Sequence, residues 1–445
     1  MDASVELRRI DLRGDHSDPT GRLPRPPADA MRAARDVVAE VLEQVRCRGD
    51  EAVAELTARF DGWQGTHWAV PEAELKTALD GLEPALRQAL ETAADQVEWF
   101  HRKSAPQDWA DVHHGATMGV RHVPVKRAGL YVPGGLGAYP STVLMTVVPA
   151  RVAGVQEIVL CTPPGADGRP NATILAAAHL LGVQKVMRIG GAQAIAAMAY
   201  GTAQVPQVDK IVGPGNRFVA EAKLQVAADG LVGIDAMAGV TEVLLIADDS
   251  ADPTLVATSL IAQAEHDPLV TSLLVTPSLT LADAVVPLVV QEVRAAPNRD
   301  RITQALNGQG AVILVDDLDH AIQVSDAFAP EHLEIQTRSP RQIAQRISRA
   351  GTIFVGVQTP TALGDYCAGP NHTLPTGGTA RFTGGLRTDD FMIPINWVEF
   401  DADALERMAP VVRALGQAEN LPAHVRSLEA RLEARRDGRL PGGST

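Results

Sequence analysis

From Val123 onward the chain alternates two kinds of segment, and this alternation constrains its fold more than any other feature. Short β-branched or aliphatic runs stand at Gly129–Val132, Glu157–Cys161, Lys185–Ile189, Lys210–Val212, Glu242–Ile246, Ser272–Val275, Ala311–Val315, Leu333–Gln336 and Thr352–Val355. Each gives way to an Ala/Leu-rich stretch long enough for a crossover helix, the pattern of βα units in a mostly parallel sheet. These runs are too many for one doubly wound sheet, so an α/β fold with a boundary near Asp235–Thr241 is expected. Gly154, Gly182 and Gly351 fall where helices should end before the next strand, and are read as C-terminal caps.

Upstream, apolar residues recur at helical spacing (Val37, Val38, Val41, Leu42, Val45, then Val53 and Leu56), broken at Gly49. A second helical block runs from Glu72 to about Arg102, interrupted near Gly81. Pro19, Pro24, Pro26 and Pro27 exclude a helix from residues 1–27, which read as an arm. Asp401–Arg436 is helical and rich in Glu and Arg, and the tail 440–445 should be frayed. The sequence contains no internal repeat strong enough to claim.

Composition narrows the function. A net charge of −14, with no Lys/Arg-rich run, argues against nucleic acid as a partner. Cys47, Cys161 and Cys367 lie far apart and form no CxxC pair, so neither a disulfide framework nor a thiolate zinc knuckle is expected. The acidic start Met1-Asp2-Ala3-Ser4-Val5-Glu6 is no signal peptide, and every apolar stretch is interrupted before bilayer length. A soluble cytoplasmic protein is expected.

Several expected strands run into glycine: Val132-Pro133-Gly134-Gly135-Leu136-Gly137, Thr162-Pro163-Pro164-Gly165, Ile189-Gly190-Gly191-Ala192-Gln193 and Val212-Gly213-Pro214-Gly215-Asn216. Ligands of parallel sheets bind at the carboxyl ends of strands, where glycine lets the backbone approach and helix N-termini attract pyrophosphate. None is a full GxGxxG; Asp235 lies at a suggestive distance from Gly213-Pro214-Gly215, but that match is weak by itself. Glycine is also the ordinary way to leave a strand. Together, with Tyr131, Gln193 and Asn216 beside them, the turns favour a dinucleotide.

Gln263 and His266 are three residues apart on what reads as one helix face, so their side chains can converge on one ion. His266 alone is more often a capping or packing histidine. Asp365, in the loop Gly364-Asp365-Tyr366-Cys367-Ala368-Gly369-Pro370-Asn371-His372, can be aimed by a rigid turn or can satisfy its own backbone. His424, with Glu419 five residues earlier, would ordinarily be a solvated helix face. A set of two His, one Asp and one Gln suits a borderline ion such as zinc. Glu331-His332 pairs a carboxylate with an imidazole, which successive proton transfers need, although an exposed pair at a strand start is the plainer alternative.

Taken together these segments resemble the histidinol dehydrogenase family, from about Val37 to Leu432. The specific stretches are Arg46-Cys47-Arg48-Gly49-Asp50-Glu51-Ala52-Val53, Tyr131-Val132-Pro133-Gly134-Gly135, Arg188 to Ala196, Lys210 to Asn216, Gln263-Ala264-Glu265-His266-Asp267, Glu331-His332-Leu333-Glu334, and Gly364-Asp365-Tyr366 with Asn371 to Thr376. The resemblance implies two Rossmann-like parallel-sheet domains in a homodimer with interlocking terminal segments and shared active sites. It implies oxidation of L-histidinol to L-histidine through the aldehyde, with two NAD⁺ and a zinc ion. By motif, Gln263, His266, Asp365 and His424 match the zinc ligands, the last arriving from the other subunit. Glu331 and His332 match the acid–base pair, and Tyr131, Gln193 and Asn216 match NAD contacts. Thr241, Gln263, His266, His332, Asp365, His372, Glu419 and His424 match groups around the substrate.

On this reading the chain divides into an arm (1–27), a larger α/β domain (28–130 with 240–382), an NAD-binding domain (131–239) and a helical C-terminal segment at the dimer (383–445). Two stretches depart from the family pattern. Ala238-Gly239-Val240-Thr241-Glu242 stands where Ala-Gly-Pro-Ser-Glu is common, and Met392-Ile393-Pro394 where a basic residue usually follows Asp390-Phe391. These departures also suit a relative acting on another small polar alcohol, such as a sulfonated diol.

Overall fold

The computed structural model describes residues 5–26, 29–134, 137–236 and 239–439. Expectations that fall on Met1 to Ser4, Pro27, Ala28, Gly135, Leu136, Ala238 and the tail 440–445 lie outside them. The chain separates into two compact units, Met1–Ala105 with Val125–Phe391, and Pro106–Pro124 with Met392–Thr445.

The first unit contains two parallel sheets. One has five strands in the order Lys185–Arg188, Glu157–Thr162, Arg127–Tyr131, Lys210–Val212, Gly233–Ile234. The chain builds outward from Arg127–Tyr131 on one side, then crosses back to fill the other. The strand order therefore reverses between Arg127–Tyr131 and Lys210–Val212, which opens a crevice outside their carboxyl ends. Arg127–Tyr131 spans the expected 130/131 junction and belongs whole to this sheet. The helices Asp29–Arg48 and Asp50–Asp61 bring Val38, Val41, Val45, Val53 and Leu56 into the same core as Ile195, Ala199 and Val219. Alanines fill much of the helix Gly191–Tyr200, so it packs closely on the strands beneath it.

The other sheet has six strands, ordered Arg8–Asp11, Gly310–Leu314, Thr271–Thr276, Glu242–Ala247, His332–Gln336, Thr352–Val355, all parallel. Apart from its first member it repeats the chain order of the five-stranded sheet, so its reversal falls between Glu242–Ala247 and His332–Gln336. The central strands Glu242–Ala247 and Thr271–Thr276 are buried throughout, as sheets covered on both faces require. The added edge strand, Arg8–Asp11, comes from the arm.

The expected strands from Gly129 to Val355 are present as an α/β fold, with one difference in punctuation. Gly154 does cap the helix Pro140–Ala153 in the left-handed region, and Gly182 lies just past the cap of Ala172–Leu180. Gly351 caps no helix: its N–H donates to the Pro330 carbonyl (2.9 Å), and a Cβ there would lie 2.6 Å from the Glu331 carbonyl oxygen. It is glycine because two backbones meet. Gly351→Ala should destabilise the protein by about 1–3 kcal/mol through overpacking; an unchanged melting temperature would show that the contact has slack.

The second unit holds a three-stranded antiparallel sheet, Met392–Phe400, Ala116–Pro124, Trp109–His113. His114 and Gly115, both at positive φ, form its two-residue hairpin turn. The expected terminal helix is two helices, Ala402–Ala418 and Pro422–Arg436, separated by Asn420 at positive φ and Pro422.

Candidate active site

The glycine turns of the five-stranded sheet pack on one another. A Cβ at Gly134 would meet Pro163 at 3.0 Å, and one at Gly190 would meet the same proline at 2.7 Å. Gly213, at φ 117°, leaves no room for a side chain: a Cβ would sit 2.1 Å from the Tyr131 carbonyl oxygen. Its N–H donates to Asp235 (2.8 Å), its carbonyl accepts from Lys223 Nζ (2.9 Å), and Lys223 and Asp235 form a buried ion pair. Asp235 is therefore not a ribose-binding acid; it and Lys223 clamp the turn.

The expected cofactor residues border these turns. Tyr131 is buried, and its hydroxyl accepts the Gly191 N–H (3.0 Å) at the start of the helix Gly191–Tyr200. Gln193 donates through Nε2 to Asp61 (3.2 Å), while its buried Oε1 has no hydrogen-bond partner among the described residues. Burial lifts the Asp61 carboxyl to about 6 against the lowering pull of Gln193 and the Gly190 N–H. Asn216 Oδ1 caps the helix Arg217–Ala228 by accepting from Phe218 and Val219 N–H (3.0 and 3.2 Å), so a cofactor contact there would use Nδ2. An orphaned amide oxygen beside glycine-lined strand ends and a helix N-terminus fits a dinucleotide.

Glu331 and His332 occupy the amino end of the six-stranded sheet, where the strand order reverses. They are buried, at 5% and 2% exposure, which removes the alternative of an exposed pair. Glu331 Oε2 accepts from Thr241 Oγ1 (2.5 Å) and from the Glu242 N–H (2.8 Å), and lies 3.5 Å from His332 Nδ1. His332 Nδ1 is also 3.1 Å from the Glu242 carbonyl, which can only accept, so Nδ1 carries the proton. Nε2 is then the atom free to exchange a proton, and it is buried without a partner among the described residues. Burial pulls the His332 pKa down, but the Glu331 carboxylate, with help from Asp365 and the Glu242 carbonyl, outweighs it and raises it to about 9.

Two participants were not legible in the chain. Glu242 is buried beside Glu331, and burial lifts its carboxyl to about 7 against the pull of Arg25. Arg25, between two prolines of the arm, donates to Glu242 Oε1 (2.8 Å) and to the Phe328 carbonyl, and lies over the Phe328 ring. Only an unpaired cation in a proline-rich segment could have signalled it.

The expected metal residues are held differently from expectation. The helix Pro253–Ala264 ends before His266, whose N–H bonds the Gln263 carbonyl (3.2 Å), so a tight turn rather than a helix face carries the pair. Gln263 donates Nε2 to Thr241 Oγ1 (2.5 Å), which leaves Oε1 as its donor to a cation. Thr241 thus uses its hydroxyl twice, toward Glu331 and toward Gln263. Asp365 lies on the short helix Thr361–Tyr366, not in a loop, and its carboxylate is 3.9 Å from His266 Nε2. Its backbone carbonyl accepts from His372 Nδ1 (2.9 Å), and His372 Nε2 lies 3.2 Å from Thr142 Oγ1. Burial holds the His372 pKa below its ordinary value. A Gln oxygen, an imidazole and a carboxylate are a donor set that fits zinc. Glu419 and His424 belong to the second unit, at the end of Ala402–Ala418 and in the first turn of Pro422–Arg436, and both are exposed.

Paired parallel sheets, glycine-lined strand ends and a buried carboxylate–imidazole pair are those of an α/β enzyme, and its relatives make its class an oxidoreductase. The family model described as histidinol dehydrogenase matches residues 24–432. The chain is 50% identical over 393 residues to a histidinol dehydrogenase of Parasynechococcus marenigrum (88% of this chain, 90% of the relative). It is 48% identical over 430 residues to one of Thermobifida fusca (96% and 98%). The crystal structure of histidinol dehydrogenase from Elizabethkingia anophelis superposes with a TM-score of 0.91 at 32% identity, covering 97% of this chain and 99% of that one. The chain belongs to the histidinol dehydrogenase family.

Proposed function

We propose that this enzyme oxidises L-histidinol through L-histidinaldehyde to L-histidine, the last step of histidine biosynthesis, as a cytoplasmic homodimer. The observation that carries the reading is the buried, unpartnered Nε2 of His332 beside a Glu331 carboxylate fixed by Thr241 and the Glu242 N–H. NAD⁺, when bound, would supply the hydride acceptor, and zinc, which Gln263, His266, Asp365 and His424 of the partner subunit would hold, would supply a positive charge that positions the substrate.

The chain's own groups manage the protons. His332 Nε2, in the neutral form that its raised pKa of about 9 makes prevalent only at alkaline pH, takes the hydroxyl proton as the C–H bond breaks. Glu331 Oε2 is engaged by Thr241 and Glu242, which leaves Oε1 to draw a proton from the water that adds to the aldehyde. His332 returns its first proton to the carbonyl oxygen as the hydrate forms and, neutral again, takes a proton from the hydrate in the second oxidation. His372 adds to the substrate's surroundings, and Tyr131, Gln193 and Asn216 hold the cofactor.

Dimerisation is supported by the strand Met392–Phe400, which exposes Ile393, Ile395, Trp397, Val398 and Phe400. Ile393, Ile395 and Trp397 share one face of the strand, and an exposed apolar row of this kind marks a protein interface. No helix among the described residues is long and apolar enough to cross a membrane.

The test is stoichiometry. Purified protein with zinc should form two NADH for each histidinol consumed. A ratio of one, or turnover of a sulfonated diol in place of histidinol, would overturn the assignment.

A further inference from the structure

At the other end of the six-stranded sheet lies a second cluster of donors that the reaction does not use. The catalytic pair starts its strand, whereas Asp316 follows the carboxyl end of the strand Gly310–Leu314. Four residues on, His320 sits in the first turn of the helix Leu318–Phe328, at 3% exposure. The arm, after its edge strand Arg8–Asp11, turns back over this end and brings His16 to the same place.

We propose that His16, Asp316 and His320 form a site for a divalent transition-metal ion of the zinc type. His16 Nε2 and His320 Nδ1 each lie 3.3 Å from Asp316 Oδ2, and one ligand atom from each residue falls within 4.8 Å of the others. Bonds of about 2.0–2.1 Å in a tetrahedral zinc site place neighbouring ligand atoms about 3.3 Å apart. The carboxylate is already oriented: the Gly14 N–H donates to both its oxygens, at 3.1 and 2.9 Å. The two imidazole rings lie side by side, their centroids 4.5 Å apart. Two imidazoles and one carboxylate select a borderline ion over calcium or magnesium, which favour all-oxygen shells. His16 and His320 also line an open cleft of about 560 Å³, which leaves a fourth position for water.

Such an ion would staple the arm to the sheet. The same arm continues to Arg25, which its own hydrogen bonds to Glu242 and the Phe328 carbonyl hold in place without the ion. The site is independent of the catalytic zinc and shares none of its residues.

The test uses tag-free, full-length enzyme dialysed against buffered Zn²⁺, with bound metal counted by elemental analysis. The wild type should hold two zinc ions per chain. His16→Ala, at an exposed position, should hold one and keep its turnover, Asp365→Asn should hold the other, and the double variant should hold none. Zinc should raise the melting temperature of Asp365→Asn and lose that effect when His16→Ala is added. If His16→Ala retains the wild-type zinc content, the site does not exist, whatever happens to Asp365→Asn. If His16→Ala loses an ion while Asp365→Asn loses none, this site stands and the catalytic zinc assignment falls.

Discussion

Replacing His332 with Asn should lower turnover of histidinol by about 10²–10⁴-fold, the usual contribution of a positioned general base. The substitution is chosen because an Asn amide can still donate to the Glu242 carbonyl that His332 Nδ1 now contacts at 3.1 Å. It keeps the local hydrogen bond and removes only the free Nε2. The loss corresponds to about 3–5 kcal/mol of transition-state stabilisation, and an unchanged melting temperature would separate it from misfolding. Glu331→Gln should differ in kind. With Oε2 replaced or Oε1 converted to an amide, water activation suffers most, so oxidation of supplied histidinaldehyde should fall further than the first oxidation. A His332→Asn enzyme within a few-fold of wild type would require another base.

Asp365→Asn should abolish zinc retention at the catalytic site and reduce turnover by more than the 10–100-fold (roughly) that loss of an outer-shell metal partner costs. This variant is informative because the two roles of Asp365 are separable. His372 bonds the Asp365 backbone carbonyl, which the substitution leaves in place, whereas only the carboxylate faces His266. Treating the wild type with a chelator should give the same loss, reversed by added zinc. An Asp365→Asn enzyme that kept its metal and its rate would remove this carboxylate from the ligand set.

Much of the fold follows from local pattern. A β-branched run such as Glu242–Ala247 has one stable environment, a strand buried on both faces, and the Ala-rich stretch before His266 has one, a helix lying on it. That the two sheets share one strand order was not readable, because the order resides in the crossovers and not in sequence similarity. The antiparallel sheet was also missed. Met392–Phe400 carries Pro394 and exposed apolar residues, and only its pairing with Ala116–Pro124 makes it a strand.

The site divides in the same way. The chain alone determined which residue types could carry the chemistry: a carboxylate next to an imidazole, a glutamine near a histidine, glycines where strands end. Those are properties of neighbours along the polymer. Tertiary structure decided that Thr241 ties Glu331 to Gln263, that Arg25 reaches Glu242, and that the proton of His332 sits on Nδ1. Hydrogen bonds and desolvation act through space, between groups that the sequence holds tens or hundreds of residues apart.

Whether the arm is a passive strand or a metal-held brace turns on three side chains, His16, Asp316 and His320, whose proximity no linear pattern announces. The alternation of short strands and helices determined that two sheets would form. The crossovers that reverse strand order in each sheet then decided which ends of which strands came together, and with them which buried polar groups from distant segments converge.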